Sequence, residues 1–522
     1  MTVPGLRDAV AIAPQFLLGG FAMLVLLLDA FFPRIHRRWL TAVTLLGLVA
    51  ASVPAILELR GKGEPDRVMQ NMLQADGYTA FFTLVFLIGG ALSVLLSARY
   101  LEREGMAEGE YYALLLLTML GAVVMAASIN LLTVFLGLEI LSISLYILAG
   151  YRAGRDAGDE AALKYFLLGA FASAFFLYGI ALVYGASGSL NIEEIRTFLA
   201  DAPSQGREPG NNLVLLAGIA MLLVGFGFKV AVVPFHVWTP DVYEGAPTSV
   251  TAFMSVVAKA AGFAAFLRVM GVGFQDRGVQ LHISAVLASI AALTMLVGNV
   301  VAVVQPGLKR LLAYSSIAHA GYMLVGVVAV VRPDGGFAMG GGNQSQAMSA
   351  VMFYALVYTV SNLGAFGVVM ALRRKGQEIR DVADLTGLAA RHPWLAAAMT
   401  LFLLSLAGLP PTGGFFGKLF LLNALVGMNT PLPWLIVLFA LTSVVSFYYY
   451  LGVVRAMYLD RPTEEHPEAP DLDMDWNMRI ALGLSAVGTV ALGLWAGGAF
   501  GLAERVTAAM FQSGGGFPAA MR

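Results

Sequence analysis

A few residues in this sequence join a titratable side chain to strongly apolar surroundings. Glu139 stands in Leu131-Leu-Thr-Val-Phe-Leu-Gly-Leu-Glu-Ile-Leu-Ser142, Lys229 in Phe228-Lys-Val-Ala-Val-Val-Pro234, and Lys259 in Val256-Val-Ala-Lys-Ala-Ala-Gly262. His319 lies in Tyr314-Ser-Ser-Ile-Ala-His-Ala-Gly-Tyr322 and Lys418 ends Gly413-Gly-Phe-Phe-Gly-Lys418, while His236 follows Pro234. The chemistry open to this set is proton transfer. A lysine stripped of water holds its proton less tightly and a carboxylate brought near restores it, so a change in their separation changes proton affinity. Each pKa unit is worth about 1.4 kcal/mol, so a few units are enough to gate a proton. Histidine can relay between such groups. The same residue types also make static ion pairs between helices, and His236 fits equally well as a hydrogen-bonded interface histidine. Arg268 and Arg455 lie nearer helix ends, where snorkelling to the membrane surface is the ordinary role, and Lys164 sits at a loop edge.

The elements that position these groups follow from composition. Of 522 residues, 58% are hydrophobic and 12% charged, with mean hydropathy +0.77. Soluble domains carry about 25% charged residues, so the chain reads as an all-α polytopic membrane protein. A net charge of −1 argues against nucleic-acid binding. Without cysteine, the chain has no disulfide, thiol chemistry or cysteine-ligated cluster. The scattered histidines give no metal-ligand spacing, and no phosphate-binding loop appears.

Apolar runs of bilayer length begin near Pro14, Trp39, Tyr78, Tyr111, Leu131, Ala161 and Leu213, then near Ser249, His282, Lys309, Ala347, Pro393, Pro433 and Met478. They predict about fourteen transmembrane helices, with the division near Ser128-Ile-Asn130 the least distinct. The seventh is expected to break at Pro234, whose missing donor frees the carbonyl of Val230. The twelfth is expected to break at Leu409-Pro-Pro-Thr-Gly-Gly414. A cation at that depth costs about 2.5–3.5 kcal/mol, so Lys229 beside a break points to a wet interior.

Glu139 and Lys229 fall in the fifth and seventh helices, and His319 and Lys418 five helices later. That offset predicts two inverted five-helix repeats, with Lys229 before its prolines and Lys418 after them. The resulting organisation is an N-terminal block 1–110, repeats at 111–275 and 276–460, and a tail 461–522. The odd loops hold Arg34, Arg37, Arg38, Arg99, Arg103, Arg152, Arg155, Lys309, Arg310, Arg373, Arg374 and Lys375. This places them in the cytoplasm and both termini on the other side, against the counter-example of Arg60, Lys62 and Arg67. The acidic loop Asp460–Asp475 fits a solvated loop or a docking face, and the solvated loop is the expectation.

At these residues the chain resembles the antiporter-like subunits of respiratory complex I, the proton-pumping NADH–quinone oxidoreductase, and among them the N type. The resemblance rests on Lys164-Tyr-Phe-Leu-Leu-Gly-Ala-Phe-Ala-Ser-Ala174, Phe228 to Thr248, Tyr314 to Tyr322, and Ser405-Leu-Ala-Gly-Leu-Pro-Pro-Thr-Gly-Gly-Phe-Phe-Gly-Lys418. It implies that Glu139, Lys229, Lys259 and Lys418 carry protons, with His319 as relay. It further implies translocation driven by quinone reduction elsewhere, in a bacterial inner membrane. Quinone, FMN and iron–sulfur clusters would then belong to partner subunits, and neighbouring antiporter-like subunits and lipid would be the contacts. A multi-subunit cation/proton antiporter, a membrane-bound hydrogenase and a non-transporting scaffold are the alternatives.

Overall fold

A computed structural model describes residues 11–32, 37–61, 66–152, 154, 156–332, 342–374, 376–428, 430–460 and 469–513. Arg7, Asp8, Arg34, Lys62, Arg155, Lys375 and residues 461–468 of the acidic loop lie outside the described residues. Lipid offers the main chain no hydrogen-bond partner, so long apolar runs must close their bonds internally as helices. Among the described residues, 13 helices are long and apolar enough to cross a membrane.

The helices that build the bundle around the site include α1 (Ala13–Phe31), α2 (Arg37–Arg60), α3 (Gly77–Glu104), α4 (Glu108–Ala127), α5 (Leu131–Ala149), α6 (Asp156–Ser187) and α7 (Leu213–Val230). After a short half-helix α8 (Thr239–Gly245) come α9 (Thr248–Gly273), α10 (Arg277–Val303), α11 (Leu308–Val331) and α12 (Gly342–Ala371). Two shorter apolar helices, α13 (Pro393–Ala407) and α14 (Gly413–Val426), precede α15 (Pro433–Tyr458) and α16 (Trp476–Leu494). At about 1.5 Å per residue, neither α13 nor α14 spans the roughly 30 Å of hydrocarbon alone.

Polar residues at the loop ends decide where helices start. Asp76 accepts from the Thr79 amide at 2.7 Å, Asn130 from Leu132 at 2.9 Å, and Asn212 from Val214 at 3.1 Å. These caps satisfy amides that would otherwise face lipid headgroups unpaired. Ser128 and Asn130 also bridge to Leu73 and Asn191, so α4 and α5 are separate helices joined by a tight link.

Burial sorts the bundle into layers. The apolar length of α9 is 100% buried and that of α11 and α12 94%, against 22% for α1. The three inner helices therefore hold Lys259, His319 and their partners away from lipid. The outer α6 and α15 expose Phe166, Phe171, Leu441 and Val444, as lipid contact requires.

Two sequence expectations change here. The described part of the acidic loop is a docking face, although Asp471 and Leu472 stay exposed. Asp471–Leu472 (β3) pairs antiparallel with Leu372–Arg374 (β1), which also pairs with Gln377–Glu378 (β2). Asp473 meets Arg99 at 3.1 Å and Asp471 meets Arg391 at 3.0 Å, so the loop's acids neutralise the chain's own basic face. Arg268 does not snorkel either. It is 1% exposed and grips both Asp76 oxygens at 2.9 Å, with Thr79 Oγ1 at 2.9 Å and the Tyr78 ring 4.7 Å away. Its partner lies at the start of α3, where the helix cap and the ion pair use the same carboxylate. Arg455, 69% exposed at its side chain beside Asp460, does keep to the surface.

Removing one partner of a buried pair strands the other's charge, at about 3–5 kcal/mol. Arg268→Met should therefore lower the thermal unfolding midpoint of the detergent-solubilised protein sharply. Combining it with Asp76→Leu should recover much of the loss, despite the cap forfeited at α3.

Candidate functional site

The site begins at the first helix break. Pro234 does not kink a continuing helix. Ala231 takes up a left-handed conformation with φ 61°, which ends α7 at Val230 before the proline is reached. Residues 231–238 then run outside any helix until α8. The carbonyls of Gly227 and Phe228 are capped by the amides of Val232 (3.0 Å) and Ala231 (3.2 Å). Trp238 Nε1 also donates to Phe228 O at 3.2 Å, and its ring stacks on Tyr165 at 4.5 Å, filling the gap with aromatic surface.

Lys229, in the last turn of α7, is 3% exposed, and its Nζ donates to Ser142 Oγ on α5 at 2.9 Å. One turn earlier on α5, half-buried Glu139 accepts a short hydrogen bond from Ser173 Oγ of α6. Its charge lies within electrostatic range of Lys229. Ser142, Ser173, Tyr146 and Lys229 line a cavity of about 10 Å³, close to the space one water needs. Tyr146 can approach α6 because Gly169 has no Cβ; one placed there would sit 2.0 Å from the tyrosine oxygen.

A second cluster surrounds His319. Lys259 follows a π-helical turn, Met254–Ala258, and donates to both the carbonyl and the Oγ of Ser316 at 2.6 Å. Tyr358 donates to the same Oγ at 2.8 Å. One turn on, His319 holds the Tyr354 hydroxyl at Nδ1 (2.6 Å) and the Tyr450 hydroxyl at Nε2 (3.0 Å), while Tyr450 also meets Ser315. Lys418 lies across the second break. Its Nζ donates 2.7 Å to Ala407 O, at the end of α13, and sits 4.8 Å from the Tyr322 ring. Lys259 and Lys418 both act electrostatically on His319. Among the described residues, no carboxylate pairs with these three groups, so hydroxyls and main-chain carbonyls carry the compensation. Such an arrangement can hold and hand on protons without fixing them in ion pairs.

The titratable groups thus fall into two clusters. Glu139 and Lys229 form one, and Lys259, His319 and Lys418 the other. They approach at Gly262, one turn after Lys259, where a Cβ would meet Lys229 Cγ at 3.4 Å. His236 joins neither. It lies half-buried in the break loop, and none of the described hydrogen bonds ties it to the other five. Sequence reasoning missed Ser142, Tyr146, Ser173, Tyr354, Tyr358 and Tyr450. The i, i+4 spacing of Tyr354 and Tyr358 in an apolar helix was the available signal.

Residues 128–446 match the family described as NADH:quinone oxidoreductase/Mrp antiporter, transmembrane. The chain belongs to that family. It is 42% identical over 490 residues to a Roseiflexus castenholzii protein named NADH-quinone oxidoreductase subunit N 2, covering 93% of this chain and 94% of that one. A chain of respiratory complex I from Thermus thermophilus is 36% identical with TM-score 0.75, over 94% of this chain and 99% of that one. A chain of the Mrp complex from Dietzia sp. DQ12-45-1b is similar in fold, with TM-score 0.81 over 98% and 100% of the two chains, at 21% identity.

The second break rests on glycines. Gly408 is left-handed at φ 92°, and a Cβ on Gly414 would fall 1.7 Å from Ser405 O. Gly414→Ala should therefore prevent stable insertion of the subunit. Gly483→Ala, where nothing lies within 4 Å, should leave it intact. Native gel electrophoresis of solubilised membranes distinguishes the two.

Proposed function

We propose that this chain is a proton-translocating membrane subunit of an NADH–quinone oxidoreductase of the complex I type. The observation that carries the reading is the cluster in which Lys259 and Lys418 flank His319 among tyrosine hydroxyls, with no carboxylate paired to them among the described residues. A scaffold would have little use for cations at bilayer depth without acidic partners. The names of its relatives, at about 42% identity over nearly the whole chain, point to the same activity. The likeness to the Mrp complex is one of fold at 21% identity, and gives an antiporter subunit less support.

In this reading Glu139 and Lys229 act as one proton-holding pair, switched by their separation, and Lys259, His319 and Lys418 as the onward relay. His236 has a subsidiary place at the break. The left-handed ends of α7 and α13 at Ala231 and Gly408 support 111–275 and 276–460 as two inverted units. The chain would sit in a bacterial plasma membrane with its basic loops in the cytoplasm and its termini outside. Electron transfer, with quinone, FMN and iron–sulfur clusters, would take place in partner subunits, and neighbouring antiporter-like subunits would flank this one.

The test is Lys229→Ala in the intact complex, reconstituted into proteoliposomes. Assembly should be preserved, while proton pumping measured by a pH-sensitive dye falls about tenfold or more. Full pumping by the assembled variant would remove this reading.

A further inference from the structure

A basin of about 500 Å³ opens on the face that carries the basic loops, between the start of α6, the half-helix α8 and the strand β2 (Gln377–Glu378). Four acids and four bases line it, so it selects no ion by sign. Most are tied to one another across its rim. Lys164 meets Asp241 at 2.8 Å, and Arg310 meets Asp241 at 3.1 Å and Glu244 at 2.7 Å. Glu378 differs. It is half-buried and points inward, accepting a hydrogen bond from Thr248 Oγ1 at 3.1 Å beside the Tyr100 hydroxyl. Burial raises its carboxyl, but Lys309 and the two hydroxyls outweigh this and hold it below the ordinary carboxylate value. An anionic acceptor thus stands where the basin meets the protein interior.

Thr248 opens α9, and from it a polar file runs inward. Thr248, Thr251, Ser255 and Lys259 are spaced three, four and four residues apart, which places them on one face of the helix. All four are at most 2% exposed. The distance from Thr248 to Lys259 is about 16 Å at helical rise. Successive turns are about 5.4 Å apart, the reach of one water hydrogen-bonded to both sides. The surroundings call for such waters. Asn362 donates to Ser255 Oγ at 2.7 Å, yet its own Oδ1 has no partner among the described residues, nor has Ser249 Oγ. The Tyr243 hydroxyl faces Ser316, the acceptor of Lys259, beyond direct hydrogen-bond geometry. Buried polar atoms of this kind are normally satisfied by ordered water, and inside a bilayer nothing else is available.

We propose that Glu378 takes up protons from the aqueous basin and passes them along the Thr248–Thr251–Ser255 file to Lys259. In each transfer the Glu378 carboxylate accepts one proton from a basin hydronium, leaving water. It then gives that proton through the file to the neutral Lys259 amine, which becomes ammonium as the carboxylate is restored. The inference rests on the reading of Lys259 as a proton carrier.

The test compares Glu378→Gln, Glu378→Asp, Thr248→Val and Lys259→Ala in the intact complex in proteoliposomes. Glutamine keeps an acceptor for Thr248 but cannot carry the proton. Pumping should fall about tenfold in Glu378→Gln and decline more steeply than in the parent as the bath is made alkaline. Glu378→Asp should retain most of the pumping. Thr248→Val, which leaves the carboxylate in place, should show the same loss if Glu378→Gln does not assemble. Parent-level pumping in either Glu378→Gln or Thr248→Val, beside an inactive Lys259→Ala, overturns the entry role alone. Parent-level pumping in Lys259→Ala overturns the proton-carrier reading beneath it.

Discussion

A main chain that leaves the helix inside lipid must find its hydrogen bonds within the protein, and that requirement shapes this molecule. At both breaks the cure is local. The α7 end is closed by Ala231, Val232 and the indole of Trp238, and the α13 end by Lys418, whose ammonium nitrogen bonds the Ala407 carbonyl. The second cure is the informative one. The group that repairs the backbone is itself titratable, so the stability of the break and the charge at the site are joined.

The same economy appears around His319. Two tyrosines bind its two ring nitrogens, a third serves the serine that receives Lys259, and a fourth lies against Lys418. Hydroxyls both donate and accept, so they can follow a proton from one neighbour to the next without reorganising the helices. A carboxylate would bind the proton's position more firmly. Glu139, the one carboxylate among the five clustered groups, is instead set apart with Lys229, on the side where α5 and α6 face outward.

Much of this was legible in the sequence because charge against an apolar run is a strong contrast. The starts of the spans near Tyr78, Tyr111, Leu131 and Leu213 agree with the helices to within a few residues. What stayed hidden was long-range. His319 meets Tyr450 across 131 residues and Arg268 meets Asp76 across 192, and no local pattern encodes either pairing. Arg268 near a helix end looks like a snorkelling residue until its partner is placed. The docked acidic loop was hidden for a similar reason, since its strand partner sits at the end of α12. The position of Ala231 was unreadable too, because alanine rarely takes a left-handed conformation.

Translocation as proposed requires protons to cross between the Lys229 and Lys259 clusters, where α7 and α9 close on Gly262. A map of the intact complex in lipid, fine enough to place waters, tests this most directly. It should show ordered water joining Ser142 and Lys229 to Lys259 and Ser316 in at least one state of turnover. A dry, apolar seam in every state would contradict the account.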